Sequence, residues 1–178
     1  MFDVQFYDIN SNAMLIENNS FYNSDGYYIN YVDSRVWFSL CSEGTCYQYS
    51  TTENNFLNDT WYNIQIVKLD GVISIYVDGI NATDEVSYNI TPEDDISQYY
   101  IANTESLIIG LNTSGDTQPF SGKIDRLALW GMALDEMQVE YYDATSPSGL
   151  EEGVIGYWNF NQGDGNIVSD LSGNNNNG

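Results

Sequence analysis

Among the side chains that could take part in catalysis or metal binding, carboxylates are by far the most frequent in this chain, and histidine is absent. The sequence has 26 Asp and Glu against 4 Lys and Arg, a net charge of −22. Without histidine it lacks the usual general base and the commonest zinc ligand. A surface so negative repels phosphate backbones and anionic lipid, which excludes nucleic acid and membrane as partners. It attracts cations, calcium above all; solubility or adaptation to a salty medium explains the charge equally well.

The two cysteines are a second chemically significant pair. Cys41 and Cys46 are separated by four residues and flanked by strand-like runs at 35–40 and 47–52. Hairpin spacing of this kind predicts a disulfide, which would indicate an oxidising compartment. The alternative is two reduced thiols near a turn. Two thiols without histidine are too few ligands for a metal site.

The elements that position these residues are mostly short strands between tight turns. Asp70-Gly71 and Asp78-Gly79 bracket six residues in which Ile73, Ile75 and Val77 alternate with their neighbours. Asp-Gly pairs favour turns because glycine accepts positive φ, and period-two alternation predicts a strand with one buried face. Together with the run at 61–69, this stretch predicts a hairpin.

The same criteria predict ten strands and one helix along the chain. The strands are at 1–7, 13–17, 26–31, 35–40, 47–52, 61–69, 72–77, 107–111, 123–130 and 154–160. The helix is at 134–142, with Asp135 and Glu136 in its first turn and Leu134, Met137, Val139 and Tyr141 as its apolar residues. Residues 84–100 are acidic and undecided, with 92–95 a loop or a short helical start. Because no run of 18 apolar residues exists, nothing is expected to insert into a membrane. This pattern predicts a β-sandwich.

Three blocks of the chain resemble laminin-G-like domains of the concanavalin A-like lectin/glucanase superfamily. They are 61–64 leading to 75–79; 107–110 followed by 120–130 and 133–134; and 156–160 running on to 170–174. The resemblance implies an all-β fold, a concanavalin A-like jelly-roll sandwich of two antiparallel sheets with one short helix. It also implies a secreted or surface protein that binds glycans or protein partners, often with a structural calcium.

The resemblance implies specific calcium ligands. Asp125 and Asp170 match family positions that look like ligands, and Asn159 or Gln162 would add a side-chain oxygen. The alternative is structural: Asp125 caps a turn, and Asp170 makes an Asx-turn with the residues that follow it.

The order of the blocks departs from the family, because the third block normally opens such a domain and here comes last. We therefore expect a sandwich body over 1–145 that lacks the opening strand, a linker over 146–153, and a strand segment over 154–178. That segment completes this sandwich, completes a neighbour's sandwich, or begins the next repeat. The aromatic residues Tyr157, Trp158 and Phe160 argue that it packs rather than remaining exposed.

Catalysis is not expected, although the superfamily includes glucanases. Glycoside hydrolysis needs two carboxylates roughly 5–10 Å apart across a cleft. Sandwich glucanases place them on alternate positions of one strand, and no predicted strand here has that pattern. Glycan binding would need an exposed aromatic platform. The candidates are Tyr22, Tyr27, Tyr28, Tyr47, Tyr49, Tyr99 and Tyr100.

The sequence thus predicts a non-catalytic carbohydrate-binding or adhesion module, extracellular or on a cell or virion surface. Its partners would be a glycan or surface protein and neighbouring repeats or subunits of the same protein. The alternative is a purely structural repeat of a surface fibre or virion assembly with no glycan ligand. Five N-x-S/T motifs, at Asn18, Asn58, Asn81, Asn89 and Asn112, serve as loop markers.

Overall fold

A computed structural model gives the fold as two antiparallel sheets with one short helix, which confirms the predicted fold class. It describes residues 1–18, 25–42, 44–53, 56–84, 96, 105–112 and 118–178. The described elements are β1 Phe2–Phe6, β2 Ala13–Asn18, β3 Gly26–Val32, β4 Arg35–Ser42, β5 Thr45–Ser50, β6 Trp61–Leu69, β7 Val72–Val77, β8 Ile80–Asn81, β9 Ile108–Ile109, β10 Gly122–Asp125, β11 Leu127–Trp130, α1 Glu136–Ala144 and β12 Val154–Trp158. The undecided segment 84–100, apart from residues 84 and 96, lies outside the described residues.

The first sheet has the order β10-β1-β6-β7-β8, and the second has the order β5-β4-β3-β2-β9. Strands β11 and β12 form a two-stranded sheet of their own, which two hydrogen bonds join to the residue before β1. Met1 N donates to Ala128 O at 3.0 Å, and Ala128 N donates to Met1 O at 2.9 Å. Because the N–H and C=O of one strand residue point to the same edge, β12 pairs with the opposite edge of β11.

The main core lies between the sheets and follows the alternation of the strands. Phe2, Val4 and Phe6 of β1 and Ile73 and Ile75 of β7 are buried in it. The second sheet contributes alternate positions of its own, among them Tyr31, Val36, Phe38 and Leu40. Apolar residues on alternate strand positions are therefore what hold the sheets together.

The two predicted hairpins are present. In β6–β7, Ile66 pairs with Ile75. In β4–β5, Cys41 pairs with Cys46, and their sulfurs form the predicted disulfide. Because the bond spans a sequence separation of only 5, loop closure contributes little to its stabilising effect.

The predicted strand 123–130 is interrupted in its middle. Arg126 has φ of 47°, and this separates β10 from β11. Asp125 Oδ1 accepts from Arg126 N at 2.8 Å, and the guanidinium pairs with Asp3, with Nη2 donating to Asp3 Oδ1 at 2.7 Å. These two carboxylates hold arginine in a backbone conformation that it rarely adopts. The predicted strand 107–111 is reduced to the two residues of β9.

Helix α1 spans Glu136–Ala144, whereas the sequence predicts a helix at 134–142. Asp135 is the N-cap rather than a first-turn residue. In a capping box, its Oδ1 accepts from Gln138 N and its own N–H donates to Gln138 Oε1. Val139 and Tyr142 are buried, whereas Met137 is 77% exposed and Tyr141 58% exposed. Of the apolar residues named from the sequence, Val139 is therefore buried, whereas Met137 and Tyr141 are not.

The last strand packs against its own chain. Leu127 pairs with Trp158 in β11–β12, and Trp158 is only 8% exposed within the main core. The residues after β12 return to cover its outer edge. Leu171 N donates to Tyr157 O at 2.8 Å, and Asn176 Nδ2 donates to Ile155 O at 2.7 Å. The division into body, linker and terminal segment stays a prediction.

Candidate functional site

A groove of about 460 Å³ lies between α1 and the β7–β8 turn. The residues that line it are Tyr76, Asp78, Gly79, Ile80, Asn81, Glu136, Glu140 and Asp143. Helix positions 136, 140 and 143 follow the spacing i, i+4, i+7, which places three carboxylates on one face. The turn contributes the opposite wall, so two segments distant in sequence form the site.

Hydrogen bonds beneath the groove fix its walls to each other. Gln65 Nε2 on β6 donates to Val139 O of the helix at 2.8 Å and to Asn63 Oδ1 at 2.9 Å. Asn63 Nδ2 donates in turn to Asp3 Oδ1 at 2.7 Å. Because Gln65 and Asn63 are buried, these bonds are protected from water and join the helix to the sheet.

The carboxylates of the groove are not equivalent. Burial raises the pKa of Asp143 above its usual range, and the nearby charge of Asp78 raises it further, against the opposing effect of Arg126. Asp78 is fixed in place because its Oδ1 accepts from Asn63 N at 2.8 Å. The turn itself depends on Gly79, whose φ is 72° and whose missing side chain faces Asp143 at 3.5 Å.

The groove has the chemistry of a polar ligand site. Its lining offers carboxylate oxygens, the amide of Asn81 and the ring of Tyr76, and contains no Lys or Arg. Carboxylates accept hydrogen bonds from hydroxyl groups, an amide both accepts and donates them, and an aromatic ring offers an apolar face. The arrangement suits a polyhydroxylated ligand without negative charge.

Asp170, a predicted calcium ligand, is occupied by protein donors. Its Oδ1 accepts from Tyr157 N at 3.0 Å and Ser172 N at 2.9 Å; its Oδ2 accepts from Ser172 Oγ at 2.8 Å and Asn176 N at 2.9 Å. Burial acts to raise its pKa, but these hydrogen bonds outweigh burial and lower the pKa to about 2. The bond to Ser172 N is the Asx-turn that the sequence offered as the structural alternative.

The other predicted ligands also have local partners or are exposed. Asp125 Oδ1 accepts from Arg126 N, Asn159 Oδ1 accepts from Asn161 N at 3.2 Å, and Gln162 is exposed. Within the described ranges, no three His, Cys, Asp or Glu side chains form a group that could hold a metal ion. The residues as arranged do not fit a calcium site, and calcium binding stays a prediction.

A melting comparison tests that prediction. If calcium binds the native protein, millimolar calcium should raise the melting temperature over that in EDTA, because a ligand of the folded state stabilises it. Asp125→Asn should abolish the rise, and magnesium at the same concentration should not reproduce it. Identical melting temperatures in calcium and EDTA would count against the site.

The tyrosines predicted as a glycan platform do not gather in the groove. Tyr28 and Tyr47 are buried, and Tyr27 and Tyr49 are half-buried against the main core. Tyr22, Tyr99 and Tyr100 lie outside the described residues. The prediction missed the groove ring, Tyr76, although its alternation with buried Ile75 placed it on the outer face of β7.

Comparisons with known proteins agree with the architecture. A sequence profile described as the concanavalin A-like lectin/glucanases superfamily, of laminin G type, matches residues 8–140. No curated protein sequence gives a significant match. Within the part of the chain described above, no helix is long and apolar enough to cross a membrane.

Two solved structures are similar in fold. A "putative carbohydrate binding protein" from Bacteroides ovatus ATCC 8483 has a TM-score of 0.68 at 17% identity, covering 99% of this chain and 49% of that one. The receptor binding domain of botulinum neurotoxin type G has a TM-score of 0.50 at 18% identity, covering 94% and 43% respectively. The chain thus spans about half the length of these structures, and identities this low establish the fold alone. Since the profile covers most of its length, the chain belongs to the concanavalin A-like lectin/glucanase superfamily.

Proposed function

We propose that the protein is a non-catalytic, extracellular carbohydrate-binding module that holds its glycan in the groove beside α1. The observation that carries the proposal is the groove's composition in a chain of this superfamily: one ring, one amide and four carboxylates. The Cys41–Cys46 disulfide is consistent with an oxidising compartment. The carbohydrate-binding description of the Bacteroides ovatus structure supports the same class of ligand.

The charge of the groove defines which glycans it would accept. Asp78, Glu136, Glu140 and Asp143 line it together, and the nearby cation Arg126 is paired with Asp3. Negatively charged sugars would therefore be repelled. Neutral glycans, or glycans with a free amino group, would be favoured.

A glycan array followed by calorimetry tests the function. We expect binding of neutral or amino sugars, and we expect Tyr76→Ala to weaken it at least tenfold, since a central aromatic contact commonly contributes more than about 1.4 kcal/mol. Tyr141→Ala is the matched control, because Tyr141 is exposed on α1, the helix beside the groove, but does not line the groove. Its affinity should equal that of the parent.

Three results would contradict parts of the proposal. No binding to any glycan would favour the structural-repeat alternative. Binding that Tyr76→Ala leaves unchanged would place the ligand elsewhere. Release of shorter sugars from the bound glycan would overturn the non-catalytic assignment, and Glu140→Gln would then test whether a groove carboxylate is responsible.

A further inference from the structure

One of the N-x-S/T motifs forms part of the groove. In Asn81-Ala82-Thr83, Asn81 is exposed and lines the site. Its Oδ1 accepts from Thr83 N at 3.0 Å and from the Thr83 hydroxyl at 2.7 Å. Because both bonds hold the carboxamide oxygen toward Thr83, the amide nitrogen is directed away from Thr83. That nitrogen is the atom to which an N-linked glycan attaches.

The backbone around this motif is anchored on both sides. Ala82 N donates to Ile75 O at 2.9 Å, and Thr52 N donates to Ala82 O at 2.7 Å. Ile75 N donates to Thr83 Oγ1 at 2.8 Å. None of these bonds uses the Asn81 side-chain nitrogen. A substituent on that nitrogen therefore leaves the anchoring bonds intact.

The other motifs are less suited to carry a substituent in the folded protein. Asn18 Nδ2 donates to Glu105 O at 3.0 Å, and Asn112 is only 9% exposed. Asn58 is exposed, but the Thr60 hydroxyl donates to the main-chain oxygen of Asn58 at 3.3 Å, so its carboxamide lacks the contact with the motif's hydroxyl that Asn81 has. The motif at Asn89 lies outside the described residues.

We propose that Asn81 is an N-glycosylation site and that its glycan covers the groove. The donor would be an oligosaccharide linked through pyrophosphate to a lipid. The Asn81 nitrogen attacks the first sugar carbon and loses one proton; the new N–C bond replaces the C–O bond, and the lipid pyrophosphate leaves with that electron pair. The oxidising compartment indicated by the disulfide is where such transfer takes place in secreted proteins.

The expected consequence concerns access to the site. A glycan on Asn81 stands beside Tyr76 and Asp78, where an external ligand would have to enter. Modification would therefore regulate the groove by occlusion. This consequence rests on the proposed carbohydrate-binding function, whereas occupancy of Asn81 does not.

Secretion of the full chain from a eukaryotic cell line tests both statements. Digestion with Asp-N and chymotrypsin, followed by removal of glycans with peptide-N-glycosidase in heavy-oxygen water, marks each occupied asparagine by mass. We expect label at Asn81 in most molecules, with none in Asn81→Gln or Thr83→Val, and retention in Thr83→Ser. An unlabelled Asn81 would overturn the site.

Binding measurements then separate the two proposals. The glycosylated parent should bind array glycans at least tenfold more weakly than Thr83→Val, which leaves every residue that lines the groove unchanged, or than the parent chain produced in a host without N-glycosylation. Equal binding by all three would refute occlusion while leaving the site assignment intact. Occupancy without binding by any form would refute the proposed function, because the mass label does not depend on it.

Discussion

Removal of residues 150–178 is expected to leave a protein that aggregates or melts far below the parent. The segment contributes β12, and its Tyr157 and Trp158 are buried. Each ring stabilises the fold by roughly 1.5–3 kcal/mol through burial, against about 5–15 kcal/mol for a whole domain. The deletion also uncovers the edge of β11, and uncovered edges promote association between chains.

Light scattering and thermal melting of the truncated protein would measure the effect. A pair of point variants shows whether packing is the cause. Trp158→Ala should lower the free energy of unfolding by about 3–5 kcal/mol. Ile155→Ala, on the same strand but 48% exposed, should lower it much less. A truncated protein that stays monomeric and has the same melting temperature as the parent would show that the segment is not part of this sandwich.

Among the charged residues after β12, Asp170 is the one whose replacement should lower the stability of the fold most. Its carboxylate accepts four hydrogen bonds, two of which, from Tyr157 N and Asn176 N, connect it to the last strand and the final turn. Hydrogen bonds to a charged group contribute more than neutral ones. We expect Asp170→Ala to lower the free energy of unfolding by about 2–4 kcal/mol, measured by urea denaturation. Asp164→Ala, at an exposed position, is the control and should change little.

The same carboxylate makes stability depend on pH in a definite direction. Its pKa is lowered from 3.8 to about 2 in the folded protein. The folded state therefore binds fewer protons than the unfolded state between these pH values. The stabilisation that ionised Asp170 provides is complete above pH 3.8. It is lost as the pH falls toward 2. The difference in stability between the parent and Asp170→Asn should narrow over that interval; a constant difference would exclude the carboxylate charge as its origin.

The strands could be predicted where turn chemistry and alternation agreed. The Asp-Gly pairs around β7 gave both of its ends, because glycine at positive φ is a local property. The predicted helix begins at residue 134, before the observed start at Glu136. The prediction counted both Asp135 and Glu136 in the first turn, although Asp135 is the N-cap and only Glu136 is inside the helix. The interruption at Arg126 was not predicted, although a turn capped by Asp125 was one alternative, since the second carboxylate that holds the arginine, Asp3, is far away in the sequence.

The groove was not predicted because its walls come from two separate segments. Local patterns cannot show that Asp78 meets Asp143, since a sheet and a packed helix bring them together. One signal was available: Glu136, Glu140 and Asp143 repeat at helical spacing and form an acidic face. The apolar residues of the helix do not mark its buried side, since Met137 and Tyr141 are exposed.

The ion pair between Arg126 and Asp3 bears on the order in which the chain folds. It joins residues 123 positions apart, and β1 must find β10 across that distance. The contact between Tyr157 and Asp170, by contrast, spans only 13 positions. Closing a long loop costs more entropy than closing a short one, and distant pairings slow folding. We expect β11, α1, β12 and the turns after it to assemble early, and insertion of β1 to be the slow step that completes the first sheet.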